Sequence, residues 1–221
     1  MPHAATAIRD PKENRKARQI LDAARALFLT HGFDASSMEA IAREAGVSKA
    51  TLYVHFASKD DLLLALVDDE CRRLGPQTLW QPDGAIDVER DLQAIARGYT
   101  AFFLHDRGRG LHRLVIGHAQ RFPQMAEVFM IAGPLRCEAE VAAFLRAAEA
   151  QGLLRIPDVP LAAVQFLNLV QGRLQLQWEL SMEPPNAADY EALIEGGIRV
   201  FLAAYGAPPR DEHRAGQHPV S

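Results

Sequence analysis

The chain has 221 residues, 48% of them apolar, enough hydrophobic surface for one large domain or two modest ones and too much for a disordered sequence. Two cysteines, Cys71 and Cys137, are too few for a disulfide framework or a metal cage, so small structural residues in a reducing compartment are expected. The formal net charge of −4 argues against a nucleic-acid binder with evenly spread charge, yet residues 1–60 hold nine Lys and Arg against seven Asp and Glu, and the rest fifteen against twenty-one.

Residues 1–11 lack periodicity and are expected to be a loose arm. From Lys12 to His31, Ile20, Leu21, Ala24, Leu27 and Phe28 line one face of a helix, with Gly32 as its cap and Phe33 folding back onto the core. Ser36 followed by Glu39 reads as a capping box that starts a second helix, whose apolar face is Met38, Ile41, Ala42 and Ala45. Gly46 stops it, and Ser48 caps a third helix in which Leu52 and Phe56 face inward. Lys49, Thr51, Tyr53 and His55 are left outside. A cation, a hydroxyl, a phenol and an imidazole are all donors suited to phosphates or base edges, so this pair of helices reads as a helix-turn-helix.

Ser58 and Asp61 start a fourth helix of about four turns, with Leu62, Leu63, Leu66 and Val67 inside. A loop is expected at 75–86, then helices from Val88 to Asp106 and from Leu111 to Arg121, with Gly108 and Gly110 between them. Pro123 suits the first turn of the next helix, and Pro134 should split it from a helix over Leu135 to Gln151 that Gly152 closes. Pro157-Asp158 precedes a long helix to about Met182, and Asp189 to Tyr205 is the last. The tail 207–221 has nothing to bury and is expected to be disordered. The reading is all-α: a three-helix DNA-binding head at 1–57, then a helical effector-binding and dimerisation domain at 58–206.

The run AIAREAGVSKATLYVHFASKDDL resembles the DNA-binding signature of the TetR family of transcriptional regulators. The resemblance rests on Ile41-Ala42, Ala45-Gly46-Val47-Ser48, Leu52-Tyr53, His55-Phe56, and Lys59 ahead of an acidic residue and Leu62. Arg113 to Pro134, Gly152-Leu153 and Phe201-Leu202…Tyr205 are similar to the regulatory domain of the AefR-like branch, although His118 stands where that pattern has an acidic residue. The resemblance implies a cytoplasmic homodimeric repressor that a small, mostly apolar effector releases from a palindromic double-stranded DNA operator. In such proteins the fourth helix links head to body and is the natural lever. The DNA-binding candidates are Arg15, Ser36, Ser37, Lys49, Ala50, Thr51, Tyr53, Val54, His55 and Lys59. Lys49 and Lys59 each follow a capping serine and so sit at the positive end of a helix, where an anionic partner such as a phosphate is expected.

In the middle helices, Tyr99, Phe102, Phe103, Val115, Phe122, Phe129 and Phe166 are candidates for the wall of an effector pocket, and His105, His118, Gln165 and Asn168 for its polar groups. The stripe of the last helix and the amide-rich helix before it predict a two-fold four-helix bundle, with Leu169, Arg173, Leu176, Leu193, Gly197, Ile198 and Phe201 at its interface. There is no Gly-rich phosphate loop, nucleophile elbow or paired-His zinc motif, so no enzyme, metal or cofactor is expected. No leader pattern opens the chain, and no apolar run approaches about 18 residues, which predicts no membrane partner. The alternative is a helical enzyme or ligand-binding or interaction protein with an incidental helix-turn-helix.

Overall fold

The computed structural model describes residues 11–75, 78–81, 84–104, 106–180, 182–183 and 186–207. The loose arm and most of the tail expected from sequence lie outside these residues, as does His105. The described residues form helices joined by short turns, with a single antiparallel bridge, Leu154 to Gly206, as the only extended pairing among them. No described helix is long and apolar enough to cross a membrane.

The chain divides into two compact units. The first holds 1–77, 101–136 and 176–184; the second holds 78–100, 137–175 and 185–221. The head expected at 1–57 thus shares its unit with the fourth helix and with residues 101–136.

In the first unit, α1 (Pro11–His31) packs on α2 (Met38–Glu44), α3 (Lys49–His55) and α4 (Lys59–Leu74). Ile20, Ala24 and Phe28, four apart on α1, meet Ile41, Leu52, Leu62, Leu63 and Leu66, all buried in one core. α6 (Asp106–His118) and α7 (Pro123–Ala132) cover the far side of α4 and bury Leu111, Leu114, Val115 and Met125. Below this core runs a row of charges. Glu70, almost fully buried, accepts from Arg25 Nε at 2.5 Å and from Arg107 at 3.1 Å, while Asp69 pairs with Arg18 at 2.7 Å. These pairs tie α1, α4 and α6 to one another.

The second unit is built by α5 (Val88–Leu104), α8 (Pro134–Ala150), α9 (Val159–Gln171) and α11 (Ala187–Tyr205), of which α5 and α8 give only part of their length. Its core holds Leu92, Ile95, Val141, Phe144, Leu145, Phe166, Val170, Ile194, Ile198 and Phe201. The bridge at Leu154 and Gly206 fastens the end of α11 to the turn after α8: Arg155 donates to the Tyr205 carbonyl at 2.9 Å and Ala207 to Leu153 at 3.1 Å.

Three boundaries differ from the sequence reading. Gly108 and Gly110 lie inside α6, which starts at Asp106; at Gly110 a Cβ would come within 3.2 Å of the tip of the Leu29 side chain, so glycine lets α1 sit close there. The long helix expected to reach Met182 breaks at Gly172, whose φ of +51° suits glycine, and α10 (Leu174–Glu179) follows. The cap of α2 is Ser37 rather than Ser36: its hydroxyl accepts from Ala40 N at 3.1 Å.

Candidate nucleic-acid interface

Two seven-residue helices carry the candidate DNA-binding residues, and neither is long enough to be stable by itself. Their pose is therefore set by caps and by what each buries. Ile41 and Ala42 seat α2 against α1, and Leu52, with no exposed surface, seats α3; burying such a leucine contributes about 1.5–3 kcal/mol. Gly46 makes the turn with φ +64°, and Val47 N closes it on the Ala42 carbonyl at 3.0 Å. Ser48 caps α3, accepting from Thr51 N at 3.1 Å, with the two hydroxyls 2.8 Å apart.

The inner anchoring turns the rest of α3 outward. Lys49 and Ala50 are exposed, Tyr53 is 43% exposed and Val54 80%; Thr51 and His55 are half-buried at the edge. Lys49 Nζ lies 5.9 Å from the centre of the Tyr53 ring. Arg15 on α1 and Ser37 at the cap of α2 are exposed as well. A donor-rich helix face beside a capped helix start can take phosphates and base edges.

The two lysines at helix starts already have partners within the chain. Lys49 pairs with Glu39 of α2, both more than half exposed. That hydrogen bond and charge hold the Lys49 ammonium above its ordinary pKa and the Glu39 carboxyl below its own. Lys59 turns inward: Nζ donates to the carbonyls of Phe33 and Ser36, at 2.9 Å each, and sits 4.3 Å from the Phe33 ring centre. Neither lysine needs a phosphate to offset its position, and Lys59 is corrected from an outward contact to an internal one. Ser36 is corrected too, being buried with its hydroxyl donated to the Gly32 carbonyl at 2.8 Å. Nearby, Arg121 donates to Asp34 at 2.6 Å, and that bond holds the Asp34 carboxyl below the usual carboxylate range.

The effector candidates fall into both units. Phe102, Phe103, Val115, His118, Phe122 and Phe129 belong to the first, and Tyr99, Gln165, Phe166 and Asn168 to the second. Phe102 and Phe103 meet edge to face at 5.7 Å, and Phe129 stands against buried His112 at 6.1 Å. His118 stacks on Phe122 while its Nδ1 lies 3.0 Å from the Leu114 carbonyl. Tyr99 donates to Gln171 at 2.7 Å, and burial pushes its phenol well above the ordinary range, helped by the nearby Cys137 and Glu138. Val115 and Phe166 are plain core, Phe166 edge-on to Phe201 at 5.2 Å. Gln165 and Asn168 are corrected: both are exposed on the outer side of α9, Gln165 taken by the Tyr205 hydroxyl at 2.5 Å and Asn168 by its own Val164 carbonyl at 2.8 Å. No group of His, Cys, Asp and Glu among the described residues could hold a metal ion.

The interface candidates also need correction. Gly197, Ile198 and Phe201 are buried in the core of their own unit, where the apolar stripe of α11 meets α9. Leu169 and Leu193 are half-buried in the same seam, whereas Arg173 and Leu176 are exposed. The outer side of α11 carries Ala192, Gly196, Arg199 and Ala203, that of α9 Leu161, Gln165 and Asn168, continued by the cap residue Gly172. Both sets follow i, i+3 or i+4 spacing; sequence reading assigns Gln165 and Asn168 to the effector pocket and the apolar stripe to the interface, since small and polar residues make a weaker signal than an apolar stripe. Glu39 reads from sequence only as a capping-box residue, and its pairing with Lys49 is missed because the two lie ten positions apart across the turn, at no helical spacing.

Comparison with known proteins agrees with this geometry. Residues 20–66 match the tetR family of bacterial regulatory proteins, and residues 90–207 the C-terminal domain of AefR-like transcriptional repressors. The Flavonoid-responsive Regulator FrrA is 38% identical, with a TM-score of 0.78 over 89% of this chain and 99% of its own. A structure from Mesorhizobium loti assigned to the TetR family is 29% identical, with a TM-score of 0.81 over 90% and 100%. Among curated proteins, the transcriptional activator FasR of Mycolicibacterium smegmatis is 35% identical over 43% of each chain, and the repressor Rv1474c of Mycobacterium tuberculosis 33% identical over 36% of this chain and 41% of its own. The chain thus spans less than half the length of these curated relatives. All four are named as regulators, not enzymes.

Proposed function

Because the chain belongs to the TetR family, with an AefR-like C-terminal domain, we propose that it is a sequence-specific DNA-binding regulator, a homodimeric repressor released from its operator by a small, mostly apolar effector. The observation that carries the DNA reading is α3: a helix anchored by Leu52 alone, with Lys49, Ala50, Tyr53 and Val54 facing out from the same two turns. Ser37 and Arg15 flank this face, and the edge residues Thr51 and His55 complete it. Repression rather than activation is favoured by the match to AefR-like repressors over 90–207.

Two copies are proposed to pair through the outer sides of α9 and α11, where Gly196 and Ala203 let a neighbouring helix come close. Pairing places two heads on half-sites about 34–36 Å apart, which makes the operator palindromic. The effector is proposed to be a planar aromatic molecule of the flavonoid kind, because FrrA is named as flavonoid-responsive and aligns over nearly its whole length. Half-buried Phe102, Phe103, Phe122 and Phe129 are the wall residues of this reading. The lever is α4, which packs on α1 and on α6 and α7 in the same unit. A preference of about 100-fold for the non-binding arrangement, roughly 2.7 kcal/mol, is enough to weaken operator binding a hundredfold.

A mobility shift with the DNA upstream of the chain's own gene tests the first part: a discrete, salt-sensitive complex that competitor DNA does not remove is expected. Flavonoids added to that complex should dissolve it while raising the melting temperature of the free protein. A flavonoid that stabilises the protein and leaves the complex intact would sink the release mechanism.

A further inference from the structure

We propose that Lys59 and Phe33 form a clamp that positions the helix-turn-helix from the loop in front of it, and that the turn between α6 and α7 works on this clamp through Phe122; the proposal rests on the DNA-binding reading above.

The loop between Gly32 and Ser37 has three of its carbonyls, those of Gly32, Phe33 and Ser36, taken by side chains and backbone. Ser36 donates its hydroxyl to Gly32 at 2.8 Å and its N–H to Phe33 at 3.2 Å, and Lys59 spans the carbonyls of Phe33 and Ser36. The next residue, Ser37, is the cap of α2. With only seven residues, α2 takes its orientation from this cap and from the apolar face it buries, so where the loop sits decides where α2 and the turn behind it sit. A lysine at the first position of α4 opposes the helix dipole, and the two carbonyls with the ring face supply the compensation. Two of its three N–H donors are used, and its charge is spent inside the loop.

The loop is gripped from the other side as well. The Phe33 ring meets Phe122 edge-on at 5.2 Å and His118 at 5.7 Å, and Arg121 crosses to Asp34. Phe122 caps α7 and is followed by Pro123, which fixes the chain direction there. A rearrangement at this turn therefore reaches the loop that leads to the cap of α2 directly, through the rings on Phe33 and the Arg121–Asp34 pair, without passing along α4.

The test compares Lys59→Met, which keeps the stem and loses the ammonium, with Lys59→Arg, which keeps the charge but whose planar fork does not fit between two carbonyls set for a compact ammonium. The DNA is the fragment the parent shifts. Both variants are expected to bind at least about tenfold more weakly while fully folded by circular dichroism, with the salt slope of the parent. Amide exchange should speed up over Phe33–Glu39 and stay unchanged over Leu62–Leu66. Parent-like binding by Lys59→Arg, with a slope lowered by about one unit in Lys59→Met, would make Lys59 a phosphate ligand and overturn the clamp. Parent-like binding by both also overturns it. Should Lys59→Met not fold, Ser36→Ala loosens the same loop without touching any charge and is expected to show the same exchange pattern. For the turn, Phe122→Leu should alter DNA affinity by about threefold or more and quicken exchange at Phe33–Ser36; no change in either removes the α6–α7 turn from the proposal. If the parent shifts no DNA, the regulator reading fails, and the exchange comparison alone still decides the clamp.

Discussion

Gly197 lies against the backbone of Leu169: a Cβ placed on it would stand 3.1 Å from the Leu169 carbonyl carbon and 3.2 Å from its oxygen. The close approach of α11 to α9 is thus an event within one chain. Gly197→Leu is expected to lower stability by about 1–3 kcal/mol, read as a fall in the urea midpoint, because the helices must part. Gly196 is the contrasting site, since a Cβ there meets nothing nearer than the tip of Arg199 at 3.8 Å. Gly196→Leu should fold normally and sediment as a monomer; a variant that stays a tight dimer would move the interface off this face.

Tyr53 projects from α3 with its hydroxyl unpartnered among the described residues. Tyr53→Phe should leave the melting temperature within error and weaken operator binding by about 1–2 kcal/mol. Equal binding by both would assign the ring to packing against its neighbours rather than to DNA.

The pairing of Lys49 with Glu39 sets one carboxylate on the face that would meet phosphates. Glu39→Gln is expected to tighten DNA binding and steepen its salt dependence by about one unit, because the lysine is released to the backbone. Lys49→Gln should do the reverse. Identical salt slopes in all three proteins would show that this pair does not touch the DNA.

Tyr99 titrates above the ordinary phenol value because it is buried. A raised pKa in the folded chain means that the neutral phenol contributes stability fully below about pH 10 and loses it as pH climbs further, when the unfolded chain ionises first. The melting temperature of the parent should therefore fall more steeply above pH 10 than that of Tyr99→Phe. Parallel curves would mean the phenol is more open to solvent than its surroundings in the fold imply.

Glu70 is the charge on which α1, α4 and α6 converge. Its removal takes from the largely buried Arg25 its closest partner and leaves it Asp22 at 2.8 Å and Asp69 at 3.6 Å, so Glu70→Ala should cost about 3–5 kcal/mol in chemical denaturation. Glu70→Met with Arg25→Met should recover most of that loss. If the single variant is as stable as the parent, the network is decoration.

Most helices were legible because their apolar positions recur at helical spacing, and the head was legible twice, through capping serines and through the family signature. What failed did so for physical reasons. Gly108 and Gly110 read as breakers, but an isolated glycine costs a helix only about 1 kcal/mol, and at Gly110 the Leu29 side chain of α1 packs close. The stripe on α11 read as an interface because sequence periodicity reports which side is buried and not by what; here the answer is α9 of the same chain. The rule broken at Lys49 and Lys59 read as a sign of phosphate ligands, yet the compensating groups are Glu39 and two loop carbonyls, which no local spacing reveals.

The burial of both cysteines has a practical side. Cys71 and Cys137 are the chain's only thiols, and each is nearly closed to solvent. A cysteine introduced at an exposed position such as Thr30 would then be the one site a maleimide reaches in the native protein. If two copies pair as proposed, spin labels placed there would act as a ruler between the two heads, reporting their separation with and without a candidate flavonoid while the native thiols stay in place.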